Sequence, residues 1–597
     1  MRCLSWFVLP VALLAACGDP DEKDTLRGTT DAADDTGDTD GDTGDTTDDT
    51  ALVPFIDHCG VIEADETWRA ADAHRITCNV KVLQGTLTIE AGVGMEVSEG
   101  DGIEVGDGDL AASLLVLGTA DDPVVLRPVQ DAGEDTRWAG ITLGPNTATA
   151  QLSYLELYDS GDAEAGSLHV EGAEVAVDGL IIDNAENCGI KLIEGGRLAE
   201  GARGLVITNS GGAAACVGVS QVHTLPAEDS AYTGNTYDQV NVSGSALRAS
   251  VTWDDLGVPY AITDSFEVSY TADEPAILTI DPGVVVKMAE GTEINFSSDG
   301  GASGLQADSV TFTALGAMVA GSWRGISFER GTEDGTRLSD VTIEYAGGDA
   351  QAAALLLSDA WVILDDVTVS DSATVAIRLQ GWTQLLHGSG GITATGSALP
   401  LSAVPNAVGS LPDDIDLAGN DEDVILLSGD GLVYASANWG AFDWDYRVAT
   451  NIAVDGSADY PAVLTLSPGV TLRFDNDARL EVGKDGAAGL IAQGTSTSRV
   501  RFIPYDAYQP GAWGGIAFYG NTEDAFAILD NFEVGWAGGE RLGAGVVVTE
   551  GALPTISNGY IHDSTEWGLL GDCSSVVPTS MTYADNFSGD ESITPCG

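Results

Sequence analysis

Basic residues are scarce. The chain has 597 residues, with 24 Lys plus Arg against 93 Asp plus Glu and a formal net charge of −69; five of the bases are Lys. A surface so short of cations repels nucleic acid, anionic lipid and acidic polysaccharide, so nucleic acid is excluded as a partner. Long apolar runs are also missing. The longest, Leu4 to Ala16, is too short to cross a bilayer and is interrupted by Pro10. No extended stretch keeps helical periodicity. No CxxC or Cys/His spacing points to zinc, and GxSxG, HExxH and phosphate-binding loops are absent. The six His (58, 74, 169, 223, 387 and 562) are scattered along the sequence.

The N-terminus carries one basic residue, Arg2, ahead of the apolar run, which reads as the core of an export signal over residues 1–16. The run ends Leu14-Ala15-Ala16-Cys17-Gly18. This stretch resembles the bacterial lipobox. The resemblance implies cleavage before Cys17, lipidation of its thiol and acylation of its amino group, and several acyl chains anchor stably where one does not. A membrane held through Cys17 is then a partner. Gly18 lacks the Asp that keeps many such proteins at the inner membrane, so the resemblance implies the outer membrane or cell surface.

Residues 17–51 change character. From Asp19 to Thr50 there are thirteen acids against Lys23 and Arg27, and DAADDTGDTDGDTGDTTDDT (31–50) has no large apolar residue. Such a segment cannot bury enough surface to offset its ordering entropy and reads as a disordered, self-repelling tether. Asp38, Asp40 and Asp42 look like the start of an EF-hand loop, but Thr43 stands where that loop needs Gly and Asp49 where it needs Glu.

The remaining chain is rich in Gly and in short apolar alternations bounded by Gly, Asp, Asn and Thr, an all-β signature. It is also strongly acidic. Six Cys fall into sequence-local pairs, Cys59 with Cys78, Cys188 with Cys216 and Cys573 with Cys596, and an exported compartment permits disulfides. Composition leaves the connectivity open. Local pairing is expected because a long stretch separates each pair from the next.

An internal repeat organises this body. Residues 253–286 align without a gap on 439–472, an offset of 186 (439 − 253). Trp253 meets Trp439, Tyr260 meets Tyr446, and PAILTIDPGVVVKM (275–288) meets PAVLTLSPGVTLRF (461–474); the first copy reads GTLTIEAGVGMEV (85–97). Each is followed by a Trp octet: TRWAGITL (136–143), GSWRGISF (321–328), GAWGGIAF (511–518). Then come LSYLELYDSG (152–161), LSDVTIEYAGG (338–348) and LDNFEVGWAGG (529–539), and after these LIIDNAENCGIKL (180–192), VTVSDSATVAIRL (367–379) and YIHDSTEWGLL (560–570). Three superunits follow, at 52–245, 246–437 and 438–597. Inside them runs a shorter beat: Leu155-x-Leu157 recurs at Leu180-x-Ile182, and Val341-x-Ile343 at Val367-x-Val369. A beat of about 25 residues with two or three short strands is one coil of a solenoid, which buries its inward side chains only by stacking on its neighbours. The octet is then scaffold, with Gly325 at a turn or bulge, Ile326 and Phe328 inward, and Trp323 covering a corner or stacking on a neighbouring coil. The competing reading makes Trp138, Trp323 and Trp513 a sugar platform.

The series LTIxPGVxVxF, GxWxGIxF and LxxVxIxYAGG resembles the right-handed parallel β-helix (pectin-lyase-like) superfamily, and in particular bacterial surface β-helix lipoproteins, over roughly 52–597. The resemblance implies an all-β parallel β-helix and places Asn184, Asn209, Asp371 and Asp563 at turns where family coils stack side chains. Their expected role is turn hydrogen bonding. Family enzymes act on polysaccharides, but the N-T-D, D-D, G-H-G, R-x-K order of the hydrolases is absent. The adjacent acids are Asp254-Asp255, Asp365-Asp366 and Asp413-Asp414. Neighbours on a strand face opposite ways, so these are poor catalytic pairs unless a turn redirects them. No catalytic residue is assigned. No cofactor is expected, apart from calcium, which acid-rich stacked turns would admit. Two functions stand: a non-catalytic surface lipoprotein, a rigid rod for adhesion, envelope organisation or binding of a surface glycan or protein, and a surface polysaccharide lyase or hydrolase. The first is favoured because a catalytic cluster normally occurs once, whereas this chain repeats. A unique cleft of three or more acids on one β face would favour the second.

Overall fold

The computed structural model describes residues 54–129, 136–269, 275–296, 303–330, 336–349, 353–539 and 542–594. Cys17, the acidic linker and Cys596 lie outside the described residues. Val53–Gly597 forms one unit.

Short alternating segments become strands with one buried edge. Ala276–Ile280 and Ala462–Leu466 share the same pattern, every second side chain buried, as a pleated strand against a core requires. Strands of successive coils pair in parallel, three faces to a coil, and the fold is a parallel β-helix. One apolar core runs from Ile62 to Val576. At about 4.8 Å per coil, some twenty coils give a rod about 100 Å long. The beat read from the sequence is the stacking register: Leu155 pairs with Leu180 and Leu157 with Ile182, Ile343 with Val369, and Val534 with Ile561.

The superunits do not stack face on face. From the first octet, Ile141 passes in register through Leu168, Ile190, Ala215, Val240, Tyr260 and Val286 to Phe312, seven coils up the same face. The second octet begins one strand later, where Ile326 pairs with Ile294 on the next face. Ile326 likewise climbs through Leu355, Ile377, Leu401, Ile425, Tyr446 and Leu472 to Phe502, and Ile516 again lies one strand on, paired with Leu480. Each superunit therefore spans seven coils plus one strand, and each copy of a feature appears one face further round the rod.

That geometry and burial decide the octet's role. Trp138, Trp323 and Trp513 are fully buried and lie on three different faces, so they form no platform. Their indole N–H groups donate to Tyr158 O, Glu344 O and Gly535 O at 2.8, 2.7 and 2.9 Å. In each copy that carbonyl precedes a residue in the left-handed conformation, Asp159, Tyr345 or Trp536, so the Trp satisfies a turn as well as filling the core. Gly140, Gly325 and Gly515 have φ of +90°, +133° and +112°, and a Cβ at each would lie 2.4–2.6 Å from a carbonyl of the next coil. Only glycine fits there.

The turn residues named from the sequence, Asn184, Asn209, Asp371 and Asp563, all have φ between 53° and 62°. Asn and Asp tolerate this region because their side chains bond locally. Asn184 Nδ2 donates to Asp159 Oδ1 at 2.5 Å and Asn209 Nδ2 to Asp183 Oδ1 at 2.6 Å, joining neighbouring coils. Disulfides join Cys59 to Cys78 and Cys188 to Cys216, each between adjacent coils. Cys573 is also disulfide-bonded.

Candidate functional site

Stacking brings together residues one coil apart, not residues adjacent in sequence, and this reorders the acid candidates. Trp253, Ile280, Ala307, Leu338 and Leu364 are in register on successive coils. The residues that follow them form a column at one corner: Asp254, Asp281, Asp308, Ser339 and Asp365. Asp254 and Asp365 are four coils apart, about 19 Å. This is well beyond the roughly 5–9.5 Å that separates glycosidase carboxyl pairs.

Asp255 is exposed and accepts the Gly257 N–H at 2.9 Å, a local turn. Asp365 is paired with Arg337. Asp366 lies in the left-handed region with its N–H on Gly390 O at 2.9 Å. Asp413 and Asp414 are exposed. Asp255 and Asp366 thus serve turns and Asp365 a cross-coil pair.

Asp254 differs. It is half-buried, and burial, then the neighbouring charge of Asp281, pushes its carboxyl above the ordinary range. It lines a cleft of about 500 Å³ with His223, Arg197, Glu174 and Glu200. Burial, then Arg197, holds His223 below its usual value. Glu174 is paired with Arg197 at 2.5 Å. Three acids thus share one cleft. Asp281, whose stacked position brings it nearest to Asp254, does not line it.

A second cleft, of about 410 Å³, was not anticipated. Trp382, Tyr434 and Tyr460 line it together with Asp430, Asp455 and Asn406. Trp382 is 58% exposed and Tyr460 81% exposed. The rings of Trp382 and Tyr434 lie 4.3 Å apart at 49°, forming an open corner. Its parts are fixed: the Trp382 N–H donates to Asp359 Oδ1 at 2.7 Å and the Trp361 indole to Trp382 O at 3.1 Å. Burial, then Asp430, raises the Tyr434 hydroxyl, which stays protonated. Asp430 accepts from Leu432 N, and Asp455 from Asp485 N and Gly486 N, at 3.1–3.2 Å. The cleft does not recur. At an offset of 186, Arg248 and Glu274 stand for Tyr434 and Tyr460, and Gly195-Gly196 fall where Trp382 would. The signal available in the sequence was spacing: Tyr434 and Tyr460 are 26 apart and Trp382 and Tyr434 are 52 apart, one and two coils.

Two of the six His come together at the N-terminal end of the rod, where His58 Nε2 and His74 Nδ1 are 2.9 Å apart. Among the described residues, no group of three or more His, Cys, Asp or Glu side chains is placed to hold a metal ion, and no helix is long and apolar enough to cross a membrane. No family model, curated protein or solved structure matches the chain.

Proposed function

We propose that the chain is a non-catalytic surface lipoprotein, anchored through Cys17 and held off the membrane by its acidic tether, whose β-helical rod presents binding surface. The observation that carries this reading is the use made of the repeated residues. Trp, Gly and Asn/Asp recur because each coil needs buried bulk, close approach and a left-handed turn, and Asp255, Asp365 and Asp366 are taken up by turns and a cross-coil pair. A rod of this kind suits adhesion, envelope organisation or capture of a surface glycan or protein. The test is release of reducing ends or unsaturated products by the whole chain from neutral and acidic glycans, with calcium present; no product is expected. Replacing Cys17 with Ser is expected to leave the protein unlipidated and free of the membrane fraction.

The Asp254 cleft supports a second reading, a surface hydrolase or lyase. A carboxyl raised by burial is what general-acid catalysis draws on, and Glu174 and Glu200 are carboxylates in the same cleft. Product release that Asp254→Asn abolishes would establish this reading and overturn the first.

A further inference from the structure

The aromatic cleft between the second and third superunits has an unusual charge pattern. Cations are scarce on this chain, and those present are mostly matched to acids on neighbouring coils, as with Arg75–Glu96, Arg203–Asp178 and Arg501–Glu533 at 2.8–3.1 Å. Among the described residues, Asp430 and Asp455 have no such match: their hydrogen bonds are to backbone N–H groups, and no Lys or Arg lines the cleft.

Two carboxylates without a cation thus face the same space as three aromatic rings. We propose that this cleft binds an alkylammonium group, with its methyl or methylene surface against Trp382, Tyr434 and Tyr460 and its charge opposite Asp430 and Asp455. Aromatic faces carry negative potential and attract a soft, weakly hydrated cation, and the carboxylates add a longer-range field. The remainder of the acidic rod adds to that field and concentrates cations near its surface. A neutral sugar would also stack on the rings, but it would gain nothing from the two unmatched charges. An anion would be repelled by both. The corner is built in advance, because Asp359 and the Trp361 indole hold the Trp382 backbone and Tyr434 packs against the Trp382 ring, so binding has little ordering cost. The inference names a ligand class for the binding-rod reading. It can fail without that reading failing, because the glycan assay and a cation titration are separate measurements.

The experiment is calorimetric titration of the whole chain with choline and with its neutral isostere 3,3-dimethylbutanol. Choline is expected to bind about tenfold more tightly than the isostere, and to weaken when salt is raised. Trp382→Ala and the double variant Asp430→Asn/Asp455→Asn are each expected to weaken choline binding about tenfold, and Trp382→Phe to retain it within about threefold. Trp382 is exposed, so its loss leaves the fold intact, which far-ultraviolet circular dichroism checks. Phosphatidylcholine vesicles that bind in a choline-competed, Trp382-dependent manner would identify a lipid headgroup as the source; choline binding without vesicle binding would identify a free cation. Equal binding of choline and the isostere, tighter binding of neutral saccharides than of choline, or no choline binding at all would overturn the proposal.

Discussion

Trp323 and Trp382 belong to the same superunit and have opposite surroundings. Trp323 is fully buried, donates to Glu344 O, and has counterparts at Trp138 and Trp513. Trp382 is largely exposed, leans on Tyr434, and has no counterpart in the other copies. In a solenoid, every coil must meet the same packing and turn requirements, so residues that recur answer to the scaffold. A large aromatic ring that does not recur, and that the core does not bury, answers to something else. The one-face advance strengthens the contrast. Repeated features are distributed around three faces, with copies about 35 Å apart along the rod, so no flat ligand meets all three copies on one face.

The contrast is tested first by its largest expected effect. Trp323→Ala removes a buried indole and leaves Glu344 O without its partner, at a cost of about 3–5 kcal/mol. In a rod the damage is local, so the readout is amide exchange, with fast exchange expected in coils around 294–357 and native protection at both ends. Uniform loss of protection along the rod would show that the coils unfold as one unit. Gly325→Ala comes next. A Cβ there would sit 2.5 Å from Ala353 O at φ +133°, and the cost is about 1–3 kcal/mol over the same coils. Gly94→Ala is the control, because its Cβ would meet nothing within 4 Å and its φ is ordinary.

Much of the scaffold was legible in the sequence for the reason that makes Trp323 costly to remove. Trp, Gly and Asn/Asp recur at fixed places because each coil has the same needs, and the Leu155–Leu180 beat is the register itself. The one-face advance was not legible. An offset of 186 is about 7.4 coils of 25 residues, but coil length varies, from 20 residues between Val240 and Tyr260 to 27 between Ile141 and Leu168, and only strand pairing shows that the remainder is one strand. For the acids, adjacency in sequence says little about proximity across coils. Asp254 was singled out for its neighbour Asp255, which turns away into a local bond, whereas the acid that shifts its carboxyl is Asp281, one coil on. Trp382, Tyr434 and Tyr460 escaped notice because single aromatics far apart in sequence carry no motif. Their spacing acquires meaning only once the coil length is known.

A smaller effect is expected near the C-terminal end of the rod. His562 Nδ1 lies 2.8 Å from Asp563, His562 Nε2 lies 3.5 Å from Glu533, and Arg501 bonds Glu533 at 3.1 Å. The bond from His562, helped by Arg501, outweighs burial and lowers the Glu533 carboxyl from 4.5 to about 2. Its contribution is therefore full above about 4.5 and lost as pH falls toward 2. Burial lowers His562, but the bonds to Glu533 and Asp563 outweigh it and leave the imidazole above 6.5. Its contribution is full below 6.5 and lost as pH rises through the raised value. Local stability around residues 533–563 should peak between about 4.5 and 6.5 and fall on either side by on the order of 1 kcal/mol. The measurement is exchange protection there against pH, corrected for intrinsic rates. His562→Gln should flatten the alkaline side, and an unchanged profile in that variant would assign the titration to another group.

The smallest effects separate turn chemistry from display. Asp371 holds φ of +53°, so Asp371→Ala should cost about 1 kcal/mol while Asp371→Asn, which carries the amide that Asn184 uses at the aligned turn, costs almost nothing. Trp382→Ala should change stability by less than about 0.5 kcal/mol, because an exposed ring gives up little burial. That near-zero value completes the contrast with Trp323, where one substitution opens several coils. If Trp382→Ala instead loosened exchange around Asp359 and Tyr434 as strongly as Trp323→Ala does around its own coils, Trp382 would be a structural cover for this end of the superunit. The aromatic corner would then have to be explained by packing. If protection stays native while binding of a small cation is lost, stability and recognition are carried by different Trp residues of one superunit, and recurrence in the sequence distinguishes them.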